Sequence, residues 1–191
     1  MTNFPTVRLR RTRQNEKLRS LVRETRLSID QLIYPLFIAE DLNEPHEISS
    51  MPGIMQWPLE HLGREIERIA NLGIPAVLLF GIPSEKDEVG SQAYDSQGII
   101  QQAIRRIKAE TPDIIVMTDV CLCEYTSHGH CGVIANGTVQ NDESLELLSQ
   151  MALSHIEAGA DLVAPSDMMD GRVGAIRHAL DEHGFSSTPI M

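Results

Sequence analysis

The sequence predicts an α/β protein built on a parallel sheet, and three observations carry that reading. Short β-branched apolar runs alternate with amphipathic stretches of helical period along most of the chain. The connections from helix to the next strand are short, as in repeated βα units of a parallel sheet. The residues richest in chemistry, Phe80-Gly81, Asp119 to Cys131 and Ser166 to Asp170, all fall just after strands, where parallel α/β proteins place their sites.

The elements follow in order. Residues 1–26 form a basic arm, with eight arginines and lysines against Glu16 and Glu24, a net +6. Since the whole chain carries −11, the remainder carries −17. Leu32 to Ala39 reads as the first strand, followed by a loop with Pro45, Pro52 and Gly53. Leu59 to Leu72 reads as a helix with Leu62, Ile66 and Ile69 on one face and Gly73 as its stop. Pro75 to Gly81 is the second strand, Pro83 to Gly98 a long polar loop, and Ile99 to Lys108 the second helix. Asp113 to Cys123 is the third strand. Asn141 or Asp142 caps a third helix that runs to about Ala158 and stops at Gly159. Ala160 to Pro165 is the fourth strand, and Asp170-Gly-Arg-Val-Gly174 opens a fourth helix that stops at Gly184. Thr188 to Met191 reads as the opening of a fifth strand. Two architectures fit these units, a doubly wound sheet and a (β/α)8 barrel, which typically needs about 250 residues. The absence of Gly-x-Gly-x-x-Gly and Walker-type sequences argues against nucleotide binding.

All three cysteines lie within Asp119-Val-Cys-Leu-Cys-Glu-Tyr-Thr-Ser-His-Gly-His-Cys131. If the third strand runs through Cys123, alternation points Asp119, Cys121 and Cys123 to one face. Cys131 can return to the pair through a loop containing Gly129 and Gly132. Three thiolates suit zinc, and three protein ligands leave one coordination position open, as in catalytic sites. The alternatives are three buried apolar cysteines, or a disulfide with one thiol left over. Clustering within eleven residues, with none elsewhere, does not resemble scattered core cysteines. His128 and His130 read as loop or supporting histidines, either able to supply a fourth ligand.

The hydrophobic fraction is 42%, and no apolar run approaches the roughly 18 residues of a membrane span. The polar, arginine-rich N-terminus lacks a signal core, and clustered free thiols fit a reducing compartment, so a cytoplasmic location is expected. The arm has no interleaved aromatics and no nucleic-acid motif. Docking onto the acidic body of a neighbouring copy is therefore favoured over nucleic-acid binding, and no membrane partner is expected.

Matching segments along the chain resemble the 5-aminolevulinate dehydratase (porphobilinogen synthase) family. They are Arg8-Leu-Arg-Arg11, Leu32-Ile-Tyr-Pro-Leu-Phe37, Ser50-Met-Pro-Gly53, Val77-Leu-Leu-Phe-Gly81, Asp119-Val-Cys-Leu-Cys123, Thr126-Ser-His-Gly-His-Cys-Gly132 and Ala164-Pro-Ser-Asp-Met-Met-Asp-Gly-Arg-Val173. The resemblance implies a (β/α)8 TIM barrel, of which residues 27–191 supply the first four to five βα units, preceded by an arm that wraps a neighbouring subunit. It also implies a homo-octamer that condenses two 5-aminolevulinate molecules into porphobilinogen with loss of two waters, on the route to haem. Cys121, Cys123 and Cys131 then bind a catalytic Zn2+, and Asp119 and Ser166 match positions near bound substrate. Some members use Mg2+ in place of the cysteine site, and any additional Mg2+ site of the family falls outside these residues.

The family also forms Schiff bases through two lysines. This sequence holds only Lys17, Lys86 and Lys108, and none matches the family positions. By the strand assignments above, all three fall outside the pocket. The resemblance thus covers the whole chain but only the N-terminal part of the family. A half barrel standing alone is expected to expose two sheet edges and an apolar face. It is expected to be inactive, and a non-catalytic zinc-binding fragment that associates with full-length subunits is the second reading.

Overall fold

A computed structural model describes residues 3–191. Met1 and Thr2, the first two residues of the predicted arm, lie outside the described residues. The central feature is a six-stranded sheet. Its strands are β1 (Ile33–Ala39), β2 (His46–Glu47), β3 (Met55–Trp57), β4 (Ala76–Ile82), β5 (Ile115–Val120) and β8 (Leu162–Pro165), in the order β2-β3-β1-β4-β5-β8. A separate small hairpin, β6 (Ile134–Ala135) and β7 (Thr138–Val139), turns through Asn136 and Gly137, both at positive φ. β1 pairs in parallel with β4 along its whole length, from Ile33↔Ala76 to Ala39↔Ile82. The β4–β5 and β5–β8 ladders are also parallel, while β2 runs antiparallel to β3.

Two regions differ from the sequence reading. The loop after β1 is not structureless. Gly53, at φ 82°, lets the chain turn back, its N–H donates to the Glu47 carboxylate at 2.6 Å, and β3 then joins the free edge of β1. The third strand ends at Val120 rather than Cys123. Its partner ladder closes at Val120↔Pro165. The fifth strand begins as expected: Val163 and Ile190 form a parallel bridge, and the Met191 N–H donates to the Val163 carbonyl at 3.0 Å.

The helices are α1 (Glu16–Val22), α2 (Leu62–Asn71), α3 (Ile99–Glu110), α4 (Asn141–Glu157) and α5 (Arg172–Glu182). Residues 59–61, expected as helix, form a 3-10 turn after Pro58. α2 buries Leu62, Ile66 and Ile69 completely, the apolar stripe predicted for it. α3 packs across β1, β4 and β5, α4 covers β5 and β8, and α2 and α5 flank them. Gln140, not Asn141 or Asp142, is the N-cap residue of α4, and Asp142 and Glu143 lie in the first turn where the helix dipole favours negative charge.

Pleat alternation divides the sheet. Leu36, Ile38, Val77, Leu79, Val116, Val120 and Val163 face the helices and are buried at 1% exposure or less, which makes that side the core. On the other side Phe37, Leu78, Phe80 and Leu162 are only half-buried and Ile33 and Ile115 are exposed. Phe37 and Phe80 stack there with ring centroids 5.0 Å apart. Residues 3–32 contain no buried side chain, although Asn15 caps α1 by accepting from the Leu18 N–H at 3.0 Å. Within this arm Glu16 pairs with Arg19 and Arg23, which lowers its carboxyl pKa.

His155 of α4 is fully buried against β5, its Nδ1 3.0 Å from the Thr118 hydroxyl. Burial pushes its pKa down from 6.5 to about 3. The unfolded chain therefore binds the extra proton between those values. The stabilising contribution is present above pH 6.5 and is lost as pH falls toward 3, with a slope of at most about 1.4 kcal/mol per pH unit. Urea unfolding between pH 4.5 and 6.5 is expected to show a shallower loss of stability on acidification for His155→Gln than for the unsubstituted chain. Equal slopes would show that His155 is not buried neutral.

Candidate functional site

The C-terminal ends of the parallel strands carry four loops, and the candidate site is built from them. Asp119, next to last in β5, points to the open side of the sheet and is 6% exposed. Burial raises its pKa, the Ser166 hydroxyl opposes the shift by hydrogen bonding, and the charge of Asp167 reinforces it. Beyond β5 the chain enters a tight turn in which the N–H groups of Tyr125 and Thr126 both donate to the Leu122 carbonyl at 2.9 Å. Leu122 goes into the core, fully buried, and the flanking cysteines swing toward each other.

The structure brings all three predicted cysteines together, but by a different route from strand alternation. Cys121 and Cys123 meet through the turn, with their sulfurs 3.3 Å apart. Cys131 returns through a loop held by the Thr126 hydroxyl, which donates to the His130 carbonyl at 2.9 Å. The three sulfurs all lie within 4.8 Å of one another, and none forms a disulfide. Three sulfurs around one zinc, each about 2.3 Å from it, stand about 3.8 Å apart, so the spacing fits one ion. The electrostatics favour a cation as well. The Cys121 thiol hydrogen-bonds to the Cys123 sulfur, which lowers Cys123 to about 6 and pushes Cys121 up. Burial raises Cys131. One thiolate forms readily, and two more beside it require a positive charge.

His128 and His130 do not join the cluster. The Nδ1 of His128 accepts from the His130 N–H at 3.1 Å, and the Nδ1 of His130 accepts from the Gly132 N–H at 3.2 Å. Both shape the loop that carries Cys131. The loop after β4 fastens alongside: the Ser127 N–H donates to the Asp87 carbonyl at 2.8 Å. The Asp87 carboxylate is held low by the Ser91 hydroxyl and by N–H groups of its own turn. Lys86, expected outside the pocket, lies in this loop on the same edge of the sheet as the cysteines. Lys108 lies at the opposite end, 2.5 Å from Asp161 and donating to the Ile114 carbonyl, and Lys17 sits in exposed α1.

Two acidic groups beside the cluster were not singled out from sequence. Glu124 follows Cys123 and has one buried carboxylate oxygen without a hydrogen-bond partner. Burial, then Asp119 and Cys123, push its pKa up to about 8, while the Gly81 N–H and the Lys86 charge oppose the rise. Asp167 is 2% exposed, accepts from the Met169 N–H at 2.8 Å, and faces Arg172 at 3.4 Å. Both lie inside quoted motif segments, but nothing in their local pattern distinguishes them from surface acids.

With this geometry established, the comparisons with known proteins decide the family. A family profile described as "Delta-aminolevulinic acid dehydratase" matches residues 6–191. The chain belongs to the delta-aminolevulinic acid dehydratase family. The dehydratase of Archaeoglobus fulgidus is 55% identical across the whole of this chain, which spans 59% of that protein. That of Methanothermobacter thermautotrophicus is 53% identical over 98% of the chain and 58% of its own length. The chain thus spans about three fifths of the length of these curated relatives. The crystal structure of the Toxoplasma gondii dehydratase (porphobilinogen synthase), in complex with the reaction product porphobilinogen, superposes with a TM-score of 0.92 at 37% identity, over 97% of this chain and 53% of that one. The α/β sheet is accordingly that of the dehydratase TIM barrel. Among the described residues no helix is long and apolar enough to cross a membrane.

Behind the site, Gly81 lies against the buried Tyr125 hydroxyl, and a Cβ there would also stand 2.7 Å from Ile100 Cγ1. Tyr125 belongs to the turn that presents Cys123. Gly81→Ala should destabilise the chain by about 1–3 kcal/mol in denaturant unfolding, because neither neighbour can yield in a packed core. No loss of stability would show that Tyr125 is free to move.

Proposed function

We propose that these residues form the zinc-binding and partial substrate-binding portion of a porphobilinogen synthase, which condenses two 5-aminolevulinate molecules to porphobilinogen with loss of two waters. The single observation that supports it most is the convergence of Cys121, Cys123 and Cys131 beside Asp119 and Ser166 in a chain of the dehydratase family. Cys121, Cys123 and Cys131 would hold the zinc. When bound, a zinc ion with an open position supplies Lewis-acid polarisation of a carbonyl or lowers the pKa of a water. Ser166 and Asp119 stand ready to hydrogen-bond a substrate at the strand ends.

Covalent capture of substrate as a Schiff base needs a neutral, desolvated lysine. Lys17 and Lys86 are exposed and Lys108 is paired with Asp161 at the wrong end of the strands. This supports the second reading for these 191 residues by themselves: zinc binding without turnover. Positioned capture is worth about 7–11 kcal/mol of barrier, so its absence leaves no measurable rate. The arm, with its net +6 against −17, suits docking on an identical subunit. This reading includes the homo-octameric assembly of the family.

The 191-residue chain is expected to carry one zinc per chain by elemental analysis, and Cys123→Ala to carry none while remaining folded. Unchanged zinc would refute the ligand assignment. In the same samples, borohydride added with 5-aminolevulinate should leave the protein mass unchanged, because no lysine forms the imine that borohydride would reduce. An adduct on any of the three lysines would redraw the site. Removing residues 1–26 from an assembled full-length dehydratase of this sequence should lower the particle mass in light scattering, and an unchanged particle would rule out arm docking.

A further inference from the structure

The first turn of α4 touches both loops of the candidate site. On one side it holds the cysteine loop. The Ser144 hydroxyl accepts from the Val133 N–H at 3.0 Å and donates to the Gln140 carbonyl at 2.5 Å, while the Gln140 N–H donates to the Val133 carbonyl at 2.8 Å. Val133 is thus fixed at both its N–H and its C=O, two residues after Cys131. On the other side, Asn141 grips the loop after β8. Its Oδ1 accepts from the Asp170 N–H at 2.8 Å and its Nδ2 donates to the Asp170 carbonyl at 3.1 Å. This reciprocal pair joins residues 29 apart in sequence.

The two grips are not independent. Gly132 packs so closely that a Cβ would stand 2.6 Å from Ser144 Oγ, 2.9 Å from Met169 Cε and 3.1 Å from Met169 Sδ. Met169 is 2% exposed, and its N–H is bound by the Asp167 carboxylate. Cys131–Gly132–Val133, Ser144, Met169 and Asp170 therefore form one packed unit, and Ser166 and Asp167 lie on the same loop as Met169.

We propose that Ser144 and Asn141 are positioning residues that lock the third cysteine and the Ser166–Asp170 loop into one rigid arrangement, so that metal binding at the cysteines orders the substrate-side loop. The inference rests on the zinc reading of the cysteine cluster and assigns how that site reaches its substrate side. Neither side chain touches the sulfurs. Ser144 acts through the Val133 peptide on Cys131, and Asn141 acts through the Asp170 peptide on Ser166 and Asp167. Hydrogen-bonding partners that orient metal ligands typically contribute 10–100-fold to metal affinity.

The test uses the full chain with Zn2+ as the probe. Ser144→Ala should weaken zinc binding about 10–100-fold in competition with a chelating dye. Alanine is the better helix former, so α4 should persist, and an unchanged unfolding midpoint of the metal-free protein would separate positioning from loss of fold. Zinc should slow amide hydrogen exchange at Asp170 in the unsubstituted chain, and Asn141→Ala should abolish that slowing while zinc still binds. Unchanged zinc affinity in Ser144→Ala, or zinc-dependent protection of Asp170 that survives Asn141→Ala, would overturn the proposal and leave the zinc site standing. A chain that binds no zinc at all would remove the metal reading and this inference with it.

Discussion

The site depends on where the β5–β8 ladder stops. Pairing closes at Val120↔Pro165. Released from the sheet at that point, the chain turns at once. Leu122 drops into the core, and Cys121 and Cys123 are brought sulfur to sulfur instead of being spaced along a strand. The same proline ends β8, so the loop carrying Ser166 and Asp167 leaves the sheet directly beside the cysteine turn. A single termination therefore sets both halves of the site.

The second constraint is charge. Three thiols, Asp119, Glu124 and Asp167 gather at one edge of the sheet, and burial raises the pKa of each carboxyl. Among the described residues, the nearby positive charges acting on these carboxyls are exposed Lys86 and Arg172, whose guanidinium faces Asp167. Such a group of potential anions is tolerated by keeping protons on the carboxyls and on two of the thiols, or by a cation placed among the sulfurs. The thiols, all within 4.8 Å of one another, are spaced to hold that cation. The site is chemically poised while its scaffold remains an ordinary parallel sheet with helices packed on one face.

The opposite face of the sheet has the character of a barrel interior. Apart from Asp119, its side chains are mainly apolar, with Phe37 and Phe80 stacked and Leu78 and Leu162 among them, yet these four are only half-covered. The strong match to the dehydratase barrel explains the pattern: in a closed barrel, inward-facing residues from alternate strands fill the lumen in layers. At the β8 edge the parallel bridge from Ile190 to Val163 is where the next strand begins.

The sequence by itself determined the βα alternation, the buried stripe of α2, the stops at Gly73, Gly159 and Gly184, and the identity of the cysteine cluster. Each of these is written locally, in apolar period, in glycine at positive φ or in residue type. Tertiary structure alone decided the rest. The early end of β5 coincides with the end of its ladder with a strand 45 residues further along the chain, at Val120↔Pro165, so no local pattern announced it. The strand pair after β1 formed because a free sheet edge was there to receive it. Glu124 and Asp167 look like surface acids in sequence and became neighbours of the cysteines, the first half-buried and the second buried, only when loops from different strands met. Asn141 and Ser144 read as ordinary residues of a helix start. Their role arises from distance in space, since hydrogen bonds and close packing act between atoms that the fold brings together from far apart in the chain.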